Sequence, residues 1–198
     1  MRIVAATQNA HKLVEIRAIT DHFGFELLSQ ADAGLADLDV EETGLTFEEN
    51  SFIKAEAICR ASGMPAIADD SGLAVDALGG APGVFSARYS GIHGDDAANR
   101  RKLLEDMKDI PEEERGAKFV CVITLVFPDG RKLVSRGECP GRIGFEEKGD
   151  HGFGYDSLFI PDGLEQTFAE VDAEIKNGMS HRARALEQLK PMLEGLLK

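Results

Sequence analysis

Apolar residues fill most of the opening "RIVAAT" (2–7), a short continuous run that predicts a buried strand. From about Ala10 to Phe23 the spacing changes: Leu13, Ile16 and Ile19 or Phe23 fall on one face, which predicts a helix. "FELLS" (25–29) reads as a second strand, and "ADAGLADLDVEETGL" (31–45) as an acidic loop. Thr46 then opens a helix to about Ser62, because Glu49 three residues on completes a capping box. That helix delivers the chain into "AIADD" (66–70), a strand expected to end at Asp69 and Asp70 before a glycine-rich bend.

"DDAANRRKLLEDM" (95–107) predicts another helix, with acids in its first turn where the helix dipole favours them. "KFVCVITLVF" and "RKLVSRGE" flank "PDG", the signal of a hairpin. From Ser180 onward Leu186, Leu189, Leu193 and Leu196 recur at helical spacing, and Pro191 is expected to kink that helix. Strand–helix units mixed with a long hairpin predict an α/β class with a mixed sheet, and 198 residues suit a single domain spanning 1–198, with room for two lobes.

Composition narrows the partners. A formal net charge of −13 argues against sequence-independent binding of nucleic acid, which needs a basic footprint. The apolar runs are too short to span a bilayer and no basic-then-apolar leader opens the chain, so a soluble, cytoplasmic protein is expected. Cys59, Cys121 and Cys139 form no CxxC pair and read as reduced, structural thiols.

Against this acidic background the cations are oddly placed. In "TQNAHK" Thr7 ends the first strand, Asn9 is a natural N-cap, and Lys12 falls in the first helical turn, where the dipole disfavours a cation. In "MSHRARA" Ser180 reads as an N-cap, and His181, Arg182 and Arg184 crowd the first turn in the same way. A solvated lysine or a surface histidine would explain either case alone. Two such cases point to a shared anionic ligand, and helix N-termini with a hydroxyl and a lysine suit a phosphate.

Asp69 and Asp70 stand where open α/β sheets place their ligands, beyond the carboxyl ends of strands. Adjacent carboxylates raise one another's pKa unless a cation is near, and a hard divalent cation bridges a carboxylate to substrate phosphates. Because successive strand side chains point to opposite faces, one aspartate is expected to face the crevice and the other to serve the turn with Ser71 and Gly72. Glu41 and Glu42 read on their own as a solvated loop. Asn50 and Lys54 share a helical face, so Lys54 is a second candidate phosphate contact. "GFGYD" (152–156) offers Phe153 as an aromatic platform between Gly152 and Gly154, followed by Tyr155 and Asp156.

In order along the chain, "T-x-N-x-x-K", "TFEENSFIKA", "ADDSGLAVDALGGAPGVFSARYSG", "GFGYD" and "SHRARA" resemble the noncanonical purine NTP pyrophosphatases (inosine triphosphatase, RdgB-like). The resemblance covers nearly the whole chain, and the long block after Ala68 is its most specific part. It implies a homodimeric, elongated, two-lobed α/β fold with a central cleft, hydrolysing ITP, dITP and XTP to monophosphate and pyrophosphate with Mg²⁺. Carried over motif by motif, Asp70 is the acidic catalytic residue and a metal ligand, with Glu42 assisting the metal. Thr7, Asn9, Lys12, Lys54 and Lys176 hold the triphosphate, Ser71 lines the sugar and phosphate site, Phe153, Asp156, His181 and Arg182 frame the base, and Gly154 and Tyr155 complete the substrate-binding set. The chain departs from the family pattern at Gln8, His11, Ser157, Gln166 and Ile175, none of which is a proposed catalytic residue. Two rivals stay open: a non-catalytic purine nucleotide sensor, which could dispense with the metal acids, and a Maf-like pyrophosphatase of other nucleotides.

Overall fold

Among the described residues six strands form one mixed sheet in the order β2-β1-β3-β4-β5-β6. They are β1 (Arg2–Ala5), β2 (Glu26–Leu28), β3 (Ala66–Val75), β4 (Gly116–Val126), β5 (Lys132–Ile143) and β6 (Phe159–Pro161). The helices are α1 (Ala10–His22), α2 (Phe47–Ser62), α3 (Asp96–Asp106), α4 (Ala173–Met179) and α5 (His181–Leu196). The computed structural model describes residues 1–7 and 9–196, and only the backbone of Ala10, His11, Glu15 and Ile19. The sequence readings of Gln8 and of the His11 and Ile19 side chains therefore lie outside the described residues. Among the described residues no helix is long and apolar enough to cross a membrane.

The chain divides into two compact units. One comprises Met1–Asp70, Cys121–Arg136 and Ala185–Lys198; the other comprises Ser71–Val120 and Gly137–Arg184.

In the first unit β1 lies parallel to both β2 and β3, with Val4 opposite Leu28 and Ala66. One core gathers Ile3, Ile16, Phe25, Ile67, Cys121, Ile123, Leu125 and the α5 leucines Leu186, Leu189 and Leu193. Cys121, Ile123, Leu125 and Phe127 alternate along the chain, so the pleat turns all four to one face. α5 runs through Pro191 as a single element. A second core sets Ala55, Ile58 and Cys59 of α2 against Val4, Ala66 and Ala68. α2 starts as its sequence predicts: Thr46 accepts from the Glu49 amide and Glu49 reaches back to the cap, while Gly63 closes the helix with φ 67°.

In the second unit Leu73, Val75, Leu103, Met107, Phe119, Phe159 and Phe168 share a core. Buried Arg115 donates to the carbonyls of Ile143, Met107, Ile110 and Gly144, tying the segment after α3 to the end of β5. β5 and β6 run antiparallel, with Gly141 opposite Pro161. A Cβ at Gly141 would stand 2.3 Å from the Ile160 carbonyl oxygen, so this pairing requires glycine.

Two expectations about β3 are corrected. The strand does not stop at Asp70 but continues to Val75, because β4 is its neighbour in the sheet after β1 has ended at Ala5. Asp69 and Asp70 lie beyond the end of β1 while remaining inside β3. Gly72 is therefore a strand residue, and the bend falls later, at Gly79 and Gly80 with φ 62° and 90°.

Candidate active site

The start of α1 is built by local hydrogen bonds. The Asn9 amide donates to Thr7 Oγ1 at 3.2 Å and the Lys12 amide to Asn9 Oδ1 at 3.3 Å, so Asn9 caps the helix. Lys12 sits in the first turn because a buried acid holds it there. Its Nζ lies 2.8 Å from Asp69 Oδ2, whose side chain is fully buried. Asp69 thus anchors a lysine and does not serve a turn, which corrects the sequence expectation.

Asp70, next along the strand, engages a second lysine. Lys54 Nζ projects from α2 to within 3.1 Å of Asp70 Oδ1 and 2.7 Å of Glu42 Oε1. The acidic loop before α2 thereby delivers Glu42 to the same ammonium. Asn50, one turn before Lys54, is fully buried and accepts the Gly44 amide at 2.8 Å, fixing the loop just after Glu42. Asn50 therefore supports the loop.

The electrostatics follow from burial. Burial lifts the Asp70 carboxyl above the ordinary carboxylate range; Lys54 pulls it down, while Glu42 adds to the lift. Burial alone would favour a neutral Lys54, but Asp70, Asp69 and Glu42 outweigh it and hold its pKa above the usual lysine value. Asp70 Oδ2 is buried and has no hydrogen-bond partner. A carboxylate oxygen left bare in such a place is an acceptor awaiting a cation or a proton donor.

In the second unit the "GFGYD" loop is tied by its own acid. Asp156 Oδ2 accepts the Phe153 amide at 2.9 Å and the Lys176 ammonium at 2.5 Å. A Cβ at Gly152 would lie 2.2 Å from that same oxygen, so glycine is required there too. Lys176 also hangs over the Phe153 and Phe168 rings, 5.1 and 5.7 Å from their centroids. The motif reading placed Lys176 with the triphosphate contacts, whereas its partners here are residues assigned to the base. Phe153 keeps half its surface exposed, but Tyr155 is buried and donates to the Ser86 carbonyl at 2.8 Å, a supporting position.

Ser180 caps α5 by accepting the Ala183 amide at 3.2 Å. His181 stacks on Phe119 at 5.0 Å between ring centroids, Arg182 is buried, and Arg184 donates to the Glu138 carbonyl at 2.7 Å. Ser71, partly buried, is a β3 residue.

The first unit carries a lysine clamped between two carboxylates, and the second carries a lysine–carboxylate pair beside a half-exposed aromatic ring. The chain belongs to the Ham1 family, whose model matches residues 3–192. It is 52% identical to a dITP/XTP pyrophosphatase of Haemophilus influenzae, over 97% of this chain and 98% of that one. It is 50% identical to a dITP/XTP pyrophosphatase of Nocardia farcinica, over 98% of this chain and 96% of that one. The solved structure of the Staphylococcus aureus Ham1 protein superposes with a TM-score of 0.92 at 40% identity, covering 98% of this chain and 99% of that chain.

Proposed function

We propose that this chain hydrolyses noncanonical purine nucleoside triphosphates, ITP, dITP and XTP, to the monophosphate and pyrophosphate. The observation that carries the reading is the Glu42–Lys54–Asp70 cluster with its bare, buried Asp70 oxygen. Membership of the Ham1 family and relatives named dITP/XTP pyrophosphatases support the choice of substrate.

A divalent cation fits the donor set. Among the described residues no three His, Cys, Asp or Glu side chains converge on a point to cage an ion. Mg²⁺ is characteristically held by one or two carboxylates plus substrate phosphates and water, which Glu42 and Asp70 satisfy. Bound there, the ion would neutralise charge on the triphosphate and polarise the α-phosphorus.

The chain's own residues do the rest. Lys54 and Lys12, with Thr7 and Asn9 at the start of α1, bind phosphate oxygens. Asp70 orients the attacking water and takes up its proton. The water oxygen forms a bond to the α-phosphorus, the bond from that phosphorus to the α–β bridging oxygen breaks, and pyrophosphate leaves with the electron pair. Positioning and charge stabilisation dominate such a reaction. Ser71 lines the sugar and phosphate. Phe153, Gly154, Tyr155, Asp156, Lys176, His181 and Arg182 select the base, some by contact and others by support.

A homodimer in the cytoplasm, independent of nucleic acid and membrane, accords with the family resemblance and the acidic charge. Incubating the protein with a panel of nucleotides and Mg²⁺ and quantifying products tests the central reading. Equimolar pyrophosphate and monophosphate from ITP, dITP and XTP is expected; orthophosphate release, or no turnover of any of them, would overturn it.

A further inference from the structure

Both backbone polar groups of Gly154 end on side chains of α3. The Gly154 amide donates to Asp96 Oδ2 at 2.8 Å, and its carbonyl accepts from Arg100 Nη1 at 2.9 Å. Asp96 and Arg100 are four residues apart and share a helical face, so one side of α3 grips one residue from both ends. Arg100 is itself held: its Nε donates to Glu147 Oε2 at 2.7 Å, and Ser157 Oγ donates to the same oxygen at 3.2 Å. Gly154 has φ 61° and no atom within 4 Å of where a Cβ would stand, so glycine serves conformation here and not close packing.

The grip lies between two residues that the proposed function uses. Phe153 precedes Gly154, and its amide is bonded to Asp156. Charge-assisted bonds at both ends of a residue leave its peptide planes little freedom to slide or rotate. The placement of the Phe153 ring and the Asp156 carboxylate therefore follows from α3. The helix has separate anchors: Leu103 is in the core, and Asn99 bonds the Ser90 amide and the Ala87 carbonyl. Loss of the grip would free the loop without unseating the helix.

We propose that Asp96 and Arg100 are positioning residues for base selection, clamping Gly154 so that Phe153 and Asp156 meet the purine ring in one fixed register. This rests on the reading of that loop as the base-recognition element. Their effect falls on ground-state recognition of the ring and not on attack at phosphorus.

The test is steady-state kinetics with ITP, GTP and ATP, together with inhibition by inorganic tripolyphosphate. Asp96→Ala and Arg100→Ala should each raise KM for ITP about 10-fold, with kcat within about 3-fold, and narrow the ITP-over-GTP ratio of kcat/KM about 10-fold. Inhibition by tripolyphosphate, which has no base, should be unchanged. Asp96→Asn keeps an acceptor oxygen and should recover most of the loss. Should an alanine variant fail to fold, Arg100→Lys carries the test, since it keeps the charge, loses the fork and should show an intermediate KM. Unaltered KM and selectivity in variants of a protein that is otherwise active and selective would overturn the clamp alone. So would a uniform fall in kcat for all three nucleotides. Failure of the unmodified protein to release pyrophosphate from any nucleotide would instead overturn the function on which the clamp rests.

Discussion

The Lys12 ammonium stands 2.8 Å from Asp69 Oδ2, and the Asp69 side chain has no solvent exposure while that of Lys12 keeps 20%. This pair reverses an expectation. By the helix dipole alone, removing a cation from the first turn of α1 would slightly stabilise the helix. With a buried carboxylate opposite, Lys12→Ala should instead lower stability by about 1–3 kcal/mol, because Asp69 loses this charge-assisted bond without regaining water. Adding Asp69→Asn should restore part of that loss, since an amide needs no counter-charge. Urea unfolding checks the sign: a midpoint for Lys12→Ala at or above that of the unmodified protein would show that the dipole prevails. The same variant should weaken ITP binding much more than IMP binding if Lys12 meets the β and γ phosphates.

Asp70 combines a functional demand with a stability cost. Burial raises its folded pKa above the unfolded value, so folding is favoured with the carboxyl protonated, and that contribution is lost as pH rises through the raised pKa. At neutral pH, above the unfolded value, burial of Asp70 thus weighs against folding. Asp70→Asn removes that cost together with the charge. Turnover should fall about 10²-fold or more while nucleotide still binds, and the unfolding midpoint of the ligand-free protein at pH 7 should not drop. Near-normal turnover would sink the catalytic assignment, and a large loss of stability would show that Lys54 depends on this carboxylate for its place.

The parts of the fold that the sequence made legible are those with local causes. The Thr46–Glu49 capping box, the "PDG" turn and the leucine spacing of α5 depend on residues within a turn or two of each other. β3 runs past the bend that local signals suggest because strand length depends on neighbours, and β4, distant in sequence, lies beside it in the sheet. Motif proposes the site residues but says nothing of their partners. Nothing near Lys12 in the chain announces Asp69, and nothing near Lys176 announces Asp156. The acids at the start of α3 are explained locally by the helix dipole, and no local pattern reveals that Gly154 lies opposite Asp96 and Arg100.

The cysteines should be chemically quiet. Burial pushes the Cys139 thiol up to about 11 and raises that of Cys59, and Cys121 has no solvent exposure. Thiolate is the reactive form, so iodoacetamide at pH 8 should leave all three unmodified in the folded protein and label them in urea. Activity should not depend on added reductant. Rapid labelling of the native protein would show local opening around α2, β4 or β5, according to which thiol reacts.

Base choice is the sharpest consequence of the proposed function. Hypoxanthine and xanthine carry an oxygen at C6, where adenine carries an amino donor. The α5 start brings Arg182 into the buried part of the second unit and stacks His181 on Phe119, so these donors are held and not free to swing away. A fixed donor donates to a 6-oxo group but is left facing another donor when adenine enters, at a cost of about 1–3 kcal/mol for each unpaired group. Two such mismatches approach the discrimination that polar pockets achieve. Guanine shares the 6-oxo group, so its rejection must fall on its 2-amino group, near Phe153 and Asp156. ITP and XTP should therefore turn over far faster than ATP and GTP. Arg182→Ala should erode the preference over ATP specifically, leaving that over GTP largely in place. Comparable kcat/KM for ITP and ATP in the unmodified protein would remove Arg182 and His181 from base selection.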